Sequence, residues 1–203
     1  MHTNPFQFGA PVNGSFYLSR PELSKTVSQF LDNRIPIMLI GPRRYGKTSF
    51  CLHLLNEKEA EGVLGLFVDV FNITSHRDFL QQLLRGVSAQ RKKWRHRVQD
   101  WFKRVPTLRP VLKLDAGPVG AGVSLSADFS EKQDVKEAIQ EVLASFADLG
   151  DRVMVVIDEF QQVAQLEDGG WLEATLRTHM QQLKNTAFLF TGSRRQIIYD
   201  MIN

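Results

Sequence analysis

The sequence contains a single cysteine, Cys51, among its 203 residues. One thiol cannot form an internal disulfide, which excludes the small disulfide-stapled folds of secreted proteins. Because Cys51 falls on the apolar face of a predicted helix, we expect a thiol that packs in the core and not a nucleophile. The five histidines lie in separate segments without the i, i+4 spacing of a metal-binding pair, so no histidine-based metal site is expected.

Long apolar runs are also missing. No segment approaches the roughly 20 apolar residues of a membrane-spanning helix, and the N-terminus lacks a basic region followed by an apolar signal core. We therefore expect a cytoplasmic protein. An apolar fraction of 43% and a charged fraction of 23% are ordinary for a globular chain, and 203 residues are enough for one domain with its own core.

Apolar runs of strand length alternate with segments in which apolar residues repeat at helical spacing. This alternation predicts an α/β fold with a parallel sheet flanked by helices. Two further stretches, "VLKLDA" and "GVSLSADF", alternate apolar and polar residues around several glycines, which predicts a small β-hairpin. The four predicted strands of the parallel sheet cover residues 34–40, 63–71, 152–160 and 186–193.

The stretch "GPRRYGKTSF" follows the first predicted strand and precedes a predicted helix. Its glycines at 41 and 46, followed by Lys47 and Thr48, fill the pattern G-x-x-x-x-G-K-[S/T] of a phosphate-binding loop. Lys47 is expected on the β and γ phosphates, and the Thr48 hydroxyl on Mg²⁺. A structural turn rich in Gly and Arg is the alternative. The expected nucleotide contacts are Gly41, Pro42, Arg43, Arg44, Tyr45, Gly46, Lys47, Thr48 and Ser49.

Two acids, Asp158 and Glu159, end the strongly apolar third strand "VMVVIDEF". The carboxyl ends of parallel strands are where such sheets present ligand groups. We expect Asp158 to hold Mg²⁺ through water and Glu159 to act on the attacking water as a general base. A second acid favours hydrolysis over transfer to a bound substrate, and the absence of an N-K-x-D guanine motif favours adenine. A solvated strand end is the alternative.

The fourth strand ends in Thr191, Gly192 and Ser193, followed by Arg194 and Arg195. If this strand lies between the loop strand and the acid strand, it places a polar group beside the γ phosphate and the attacking water. Ser193 is the candidate sensor for that position, with a turn residue as the alternative. The two arginines fit a helix start, a solvated face or a contact to a neighbouring subunit.

Taken together, the motifs resemble the archaeal-ATPase-like branch of the STAND class of P-loop ATPases, relatives of the AAA+ proteins. The resemblance rests on "NPF", "PVNGSFYLSRPEL", "GPRRYGKTSF", "VDVF", "VVIDEFQQV" and "FLFTGSRR", in this order along nearly the whole chain. It implies a sheet ordered 5-1-4-3-2 and ATP binding with slow, regulated hydrolysis. It also implies that the N-terminal segment 1–33 lines the adenine side through Phe16 and Arg20.

Proteins of that class continue into a fifth strand, a helical lid and an effector region, whereas this sequence stops at Asn203. We therefore expect residues 1–203 to be the ATPase core alone, without the lid. The expected cofactors are ATP or ADP and Mg²⁺. The expected role is a switch, in which ATP binding changes conformation or assembly with a protein partner or a second copy, and hydrolysis resets it.

A basic segment, residues 91–109, has no match in the resemblance and belongs to a predicted insertion at about 90–129. It carries eight lysines and arginines against one acid, Asp100. Three interpretations remain open: nucleic-acid binding, with Trp94, Trp101 and Phe102 stacking on bases; contact with a partner or membrane surface; and a solvated packing helix. The helical spacing of Trp94, Val98, Trp101 and Phe102 fits the last of these.

Overall fold

The computed structural model describes residues 17–105, 110–115, 122–127 and 135–193. Three short 3₁₀ helices, Gln90–Lys92, Ser145–Asp148 and Phe160–Gln165, connect longer elements. Those longer elements are, in chain order, α1 (Pro21–Asp32), β1 (Ile37–Ile40), α2 (Lys47–Ala60), β2 (Leu64–Asp69), α3 (His76–Ala89), α4 (Arg95–Arg104), β3 (Pro110–Asp115), β4 (Gly122–Ala127), α5 (Val135–Ala144), β5 (Val153–Asp158), α6 (Gly169–Gln182) and β6 (Thr186–Gly192).

Four strands form a parallel sheet in the order β1-β6-β5-β2. This confirms the predicted α/β fold and corresponds to the 1-4-3-2 part of the expected strand order. Because β6 pairs with both β1 and β5, the carboxyl ends of the loop strand, the acid strand and the Ser193 strand are neighbours at one edge. This strand order places the predicted loop, acids and Ser193 at adjacent strand ends.

Every residue of β5 and of β6 is buried, as expected for central strands covered on both faces. Successive residues of β5 alternate between two cores. Val155 and Ile157 join the core that contains α3, α5 and α6, whereas Met154 and Val156 join the core that contains α1 and α2. The molecule is thus built as helices, sheet and helices, and the sheet is held rigidly between the two helical layers.

Cys51 lies in the core between α2 and the sheet, where it is fully buried. Burial raises the pKa of its thiol well above the ordinary value, so the neutral thiol predominates. The predicted packing role is confirmed. Among the described residues, no helix is long and apolar enough to span a membrane.

After α4 the chain continues into the antiparallel pair β3 and β4, which confirms the predicted hairpin. Val98, Trp101 and Phe102 of α4 are buried in the larger core, and the Trp101 Nε1–H donates to the Ser145 carbonyl oxygen at 3.0 Å. The interpretation in which Trp101 and Phe102 stack on bases is therefore wrong, because both rings are inside the protein. Trp94 also packs against this core, with the Arg97 guanidinium 4.8 Å from its ring centre.

Candidate nucleotide site

The glycine loop between β1 and α2 adopts the conformation that its motif requires. Gly46 is the N-cap of α2 and has a φ of 76°, in the left-handed region where glycine is favoured. The Gly41 N–H donates to the Gly192 carbonyl oxygen at 3.2 Å, which joins the start of the loop to the end of β6. The loop thus curls over the amino end of α2, where the helix dipole and free N–H groups favour an anion.

Lys47 is the first residue of α2, and its side chain is largely buried inside the curve of the loop. Its ammonium donates to the carbonyl oxygens of Gly41 at 2.8 Å and of Pro42 at 3.0 Å. A positive charge is therefore fixed at the mouth of the helix dipole. The predicted lysine position is compatible with binding of the β and γ phosphates.

The N-terminal side of the loop is braced by Arg20, which immediately precedes α1. Its guanidinium donates to the Tyr45 carbonyl oxygen at 2.8 Å and lies against Gly46. Arg20 thus contacts the loop backbone. Phe16, expected beside it on the adenine side, lies outside the described residues, as do Arg194 and Arg195.

On the outer side of the loop, Arg43 and Tyr45 are exposed. The Arg43 guanidinium sits 5.5 Å from the centre of the half-exposed Phe71 ring, just beyond β2. Pro42 and Arg44 are exposed as well, whereas Ser49 is buried in the first turn of α2. The loop residues predicted to contact nucleotide therefore differ in exposure, with the buried ones on the helix.

Asp158, the last residue of β5, is the buried acid of the site and is only 3% exposed. Its carboxylate accepts a hydrogen bond from the Thr48 hydroxyl at 2.7 Å and another from the Thr191 hydroxyl. Burial raises the pKa of this carboxyl, while the bonds from Thr191 and Thr48 lower it in part. The strand pairing thus brings together a loop residue, the acid and a threonine that the sequence analysis did not assign.

These oxygens suit a magnesium ion. Both groups that bond Asp158 are neutral hydroxyls, so a nearby cation would offset the cost of burying its charge. Mg²⁺ binds through one or two protein oxygens together with substrate phosphates and retained waters. Within the described ranges, no group of three or more His, Cys, Asp or Glu side chains could hold a metal. The residues that would hold Mg²⁺ are Thr48 and Asp158.

Glu159 follows Asp158 and turns away from the strand with a left-handed φ of 59°. Its backbone N–H donates to the Thr191 hydroxyl at 3.2 Å, and its carboxylate accepts from the Ser193 hydroxyl at 3.0 Å. The buried Gln161 side chain also donates to that carboxylate. Glu159 and Ser193, predicted separately from two strands, therefore lie side by side. Gln161, which the sequence analysis did not assign, lies between them.

A sequence profile described as "AAA domain" matches residues 31–197. The chain belongs to this family. The loop at 41–49 and the acids at 158 and 159 all lie within the matched range. No curated protein compared with this AAA domain matches it.

Solved structures similar to this AAA domain include the Walker-type ATPase paby2304 of Pyrococcus abyssi, with 20% identity and a TM-score of 0.60 over 98% of this chain and 51% of that one. The Aeropyrum pernix ORC2 protein, in ADPNP-ADP complexes, has 13% identity and a TM-score of 0.57 over 98% and 46%. The ORC1 protein of the same organism, in complex with DNA, has 14% identity and a TM-score of 0.57 over 90% of this chain and 41% of that one. These likenesses show the fold, and the chain spans about half of those proteins or less.

Proposed function

We propose that this AAA domain binds ATP with Mg²⁺ at the loop 41–49, hydrolyses it slowly, and acts as a molecular switch of the STAND class in the cytoplasm. One observation carries the proposal. A continuous set of hydrogen bonds runs from Thr48 through Asp158, Thr191 and Glu159 to Ser193, and so joins the loop to the ends of both β5 and β6. Chance placement of acids at a strand end does not require such a connection.

In the proposed reaction, the residues divide the work by their positions. Lys47 and the N–H groups at the start of α2 bind the phosphates, and Thr48 with Asp158 hold Mg²⁺, which when bound neutralises phosphate charge. Glu159 orients water and takes its proton as the water attacks the γ phosphate. Ser193, whose hydroxyl donates to Glu159, is assigned to the γ phosphate beside that water.

The same arrangement supports a switch. Glu159 follows β5 and Ser193 follows β6. A γ phosphate that contacts both residues would therefore link the ends of the two strands. Replacing ATP by ADP removes the γ phosphate that such a contact requires, and γ-phosphate contacts are a recurrent means of ordering switch segments. A protein partner or a second copy of the chain would sense that change.

The test of the hydrolytic role is Glu159→Gln. The substitution keeps the shape of the side chain but removes the base, so ATP and Mg²⁺ should stay bound while hydrolysis falls by roughly 10²- to 10⁴-fold. Calorimetry measures the binding and phosphate release measures the turnover. The matched control is Glu167→Gln, an exposed acid further along the same connection. If Glu159→Gln hydrolyses ATP like the parent, the domain is better described as a nucleotide-gated binding module.

A second candidate function is ATP-gated nucleic-acid binding through the basic segment. Lys92, which ends the 3₁₀ helix Gln90–Lys92, and Arg95, which begins α4, are both exposed, while the apolar face of α4 is anchored in the core. Such a surface could contact phosphates without base stacking. The similar ORC1 protein was solved in complex with DNA, which agrees with this candidate at the level of the fold.

A further inference from the structure

Gln161 is a fully buried polar residue close to the proposed hydrolytic site. It lies in the 3₁₀ helix Phe160–Gln165, which begins immediately after Glu159. In this helix Phe160 packs against Phe190 of β6, with ring centres 4.6 Å apart. The packing fixes the first turn of the helix against β6, so the Gln161 side chain returns toward the strand end.

All three of its side-chain bonds go to the two predicted catalytic groups. The amide nitrogen donates to Glu159 Oε2 and to Ser193 Oγ, the latter at 3.2 Å, and the amide oxygen accepts from the Ser193 N–H at 3.2 Å. A neutral amide carries two N–H donors on its nitrogen and an acceptor on its separate oxygen. Because the Ser193 N–H must face an oxygen, it also fixes which end of the amide points at Glu159.

These bonds restrict how the Glu159 carboxylate can move. Its Oε2 accepts from both Gln161 and the Ser193 hydroxyl, the latter at 3.0 Å. The backbone of Glu159 is held separately, through Thr191, in a left-handed conformation that a residue with a side chain rarely adopts. Thr191 therefore positions the main chain of Glu159, and Gln161 positions its carboxylate.

We propose that Gln161 is the positioning residue for Glu159 and holds its carboxylate and Ser193 in one fixed arrangement. It acts through Glu159 and Ser193, so it sets the rate of hydrolysis and leaves ATP affinity unchanged. The inference rests on the proposed hydrolytic function. An ordinary buried glutamine that only satisfies the core would affect stability alike in every background and would have no special connection to Glu159.

The first experiment is Gln161→Met, which keeps the length and volume of the side chain and removes the amide. We expect ATP affinity within about twofold of the parent and phosphate release slower by roughly 10- to 100-fold, since a misplaced catalytic group costs up to about 10²-fold. The matched control is Gln162→Met, at the adjacent half-buried glutamine, which should behave like the parent. Parent-like hydrolysis in folded Gln161→Met would overturn the inference, as would a large loss of ATP affinity.

The decisive readout is the same substitution made in Glu159→Gln. If Gln161 acts through Glu159, adding Gln161→Met should slow the residual single-turnover hydrolysis by clearly less than it slows the parent, and the remaining loss is the part that acts through Ser193. An equal additional loss in that background would show a merely structural role and overturn the inference. Should Gln161→Met fail to fold, Gln161→Asn replaces it, because an amide one methylene shorter cannot span both partners and is expected to slow hydrolysis similarly.

The failures of the inference and of the proposed function can be told apart. If Glu159→Gln alone hydrolyses ATP like the parent, the general-base assignment fails and the positioning role fails with it. If Glu159→Gln is slow but Gln161→Met and Gln161→Asn are both as fast as the parent, only the inference about Gln161 is overturned.

Discussion

The strand ends of β5 and β6 and the basic segment both concentrate polar residues, but they do so in opposite ways. At the strand ends the charges are inside or nearly so, and Asp158 is bonded by two hydroxyls from different elements. In α4 the apolar residues are inside and the charges face water. At the strand ends, buried polar groups are held in place by hydrogen bonds. In α4, buried apolar side chains hold the helix in place, and its charged side chains extend into solvent.

A buried acid is therefore stronger evidence for a function than an exposed basic residue is. Burying a carboxylate costs free energy unless hydrogen bonds or a cation compensate for it, so a buried acid with defined partners implies a specific role. Exposed lysines and arginines cost little wherever they occur, and their ion pairs contribute about 0–1 kcal/mol. The eight basic residues of the segment therefore indicate a solvent-exposed surface but no specific ligand. The burial of Val98, Trp101 and Phe102 is enough to explain why α4 forms.

The largest expected effect comes from a substitution in the buried nucleotide site. Lys47→Ala removes the ammonium at the amino end of α2, and each hydrogen bond to a charged group is worth about 1.5–3 kcal/mol. We expect ATP binding to weaken about 100-fold or more, and turnover to be lost with it. The control is Lys25→Ala, an exposed lysine of α1. Calorimetry with both variants checks this, and parent-like affinity in Lys47→Ala would exclude the loop as the phosphate site.

Much of the fold was predictable from the sequence, because its signals were local. The period of the apolar residues located the four parallel strands and the helices between them to within a few residues. The fixed spacing of Gly41, Gly46 and Lys47 predicted the loop, since the glycines allow backbone N–H groups to converge on an anion at the helix start. The position of β6 between β1 and β5 followed from the resemblance, not from any pattern within a strand.

The inner part of the site was not predictable in the same way. Thr191 and Gln161 matter because of partners 33 and 32 residues away, Asp158 and Ser193, and nothing in their neighbouring sequence indicates those contacts. Such pairs depend on strand register and on the turn after β5, which only the folded chain defines. For Trp101 and Phe102 the stacking interpretation is wrong, whereas the packing-helix interpretation, which their helical spacing already fitted, agrees with their burial.

An intermediate effect, on stability, is expected from a substitution in the buried face of α4. Trp101→Ala removes a large ring from the core together with the bond from its indole N–H to the Ser145 carbonyl, and such truncations typically cost about 3–5 kcal/mol. We expect the free energy of unfolding to fall by that amount in urea denaturation. Lys103→Ala, two residues along and exposed, should change it by less than about 0.5 kcal/mol. Equal, small losses would contradict the assignment of α4 as a packing helix.

The smallest expected effect on the fold comes from reversing exposed charges of the basic segment. Lys92→Glu with Arg95→Glu is the chosen pair, and Lys93 is kept because it bonds the largely buried Glu59 carboxylate of α2 at 2.5 Å.

Arg95 begins α4, where an acid is favoured by the helix dipole, so we expect unfolding free energy and ATP affinity to stay close to those of the parent. If the segment binds nucleic acid, the same pair should weaken that binding and make its dependence on the logarithm of salt concentration shallower by about 0.9 for each phosphate that the variant no longer neutralises. Gel shifts of parent and variant across a salt series measure this. No binding by the parent at low salt would rule out the nucleic-acid candidate, and a large loss of stability would show that these charges support the fold.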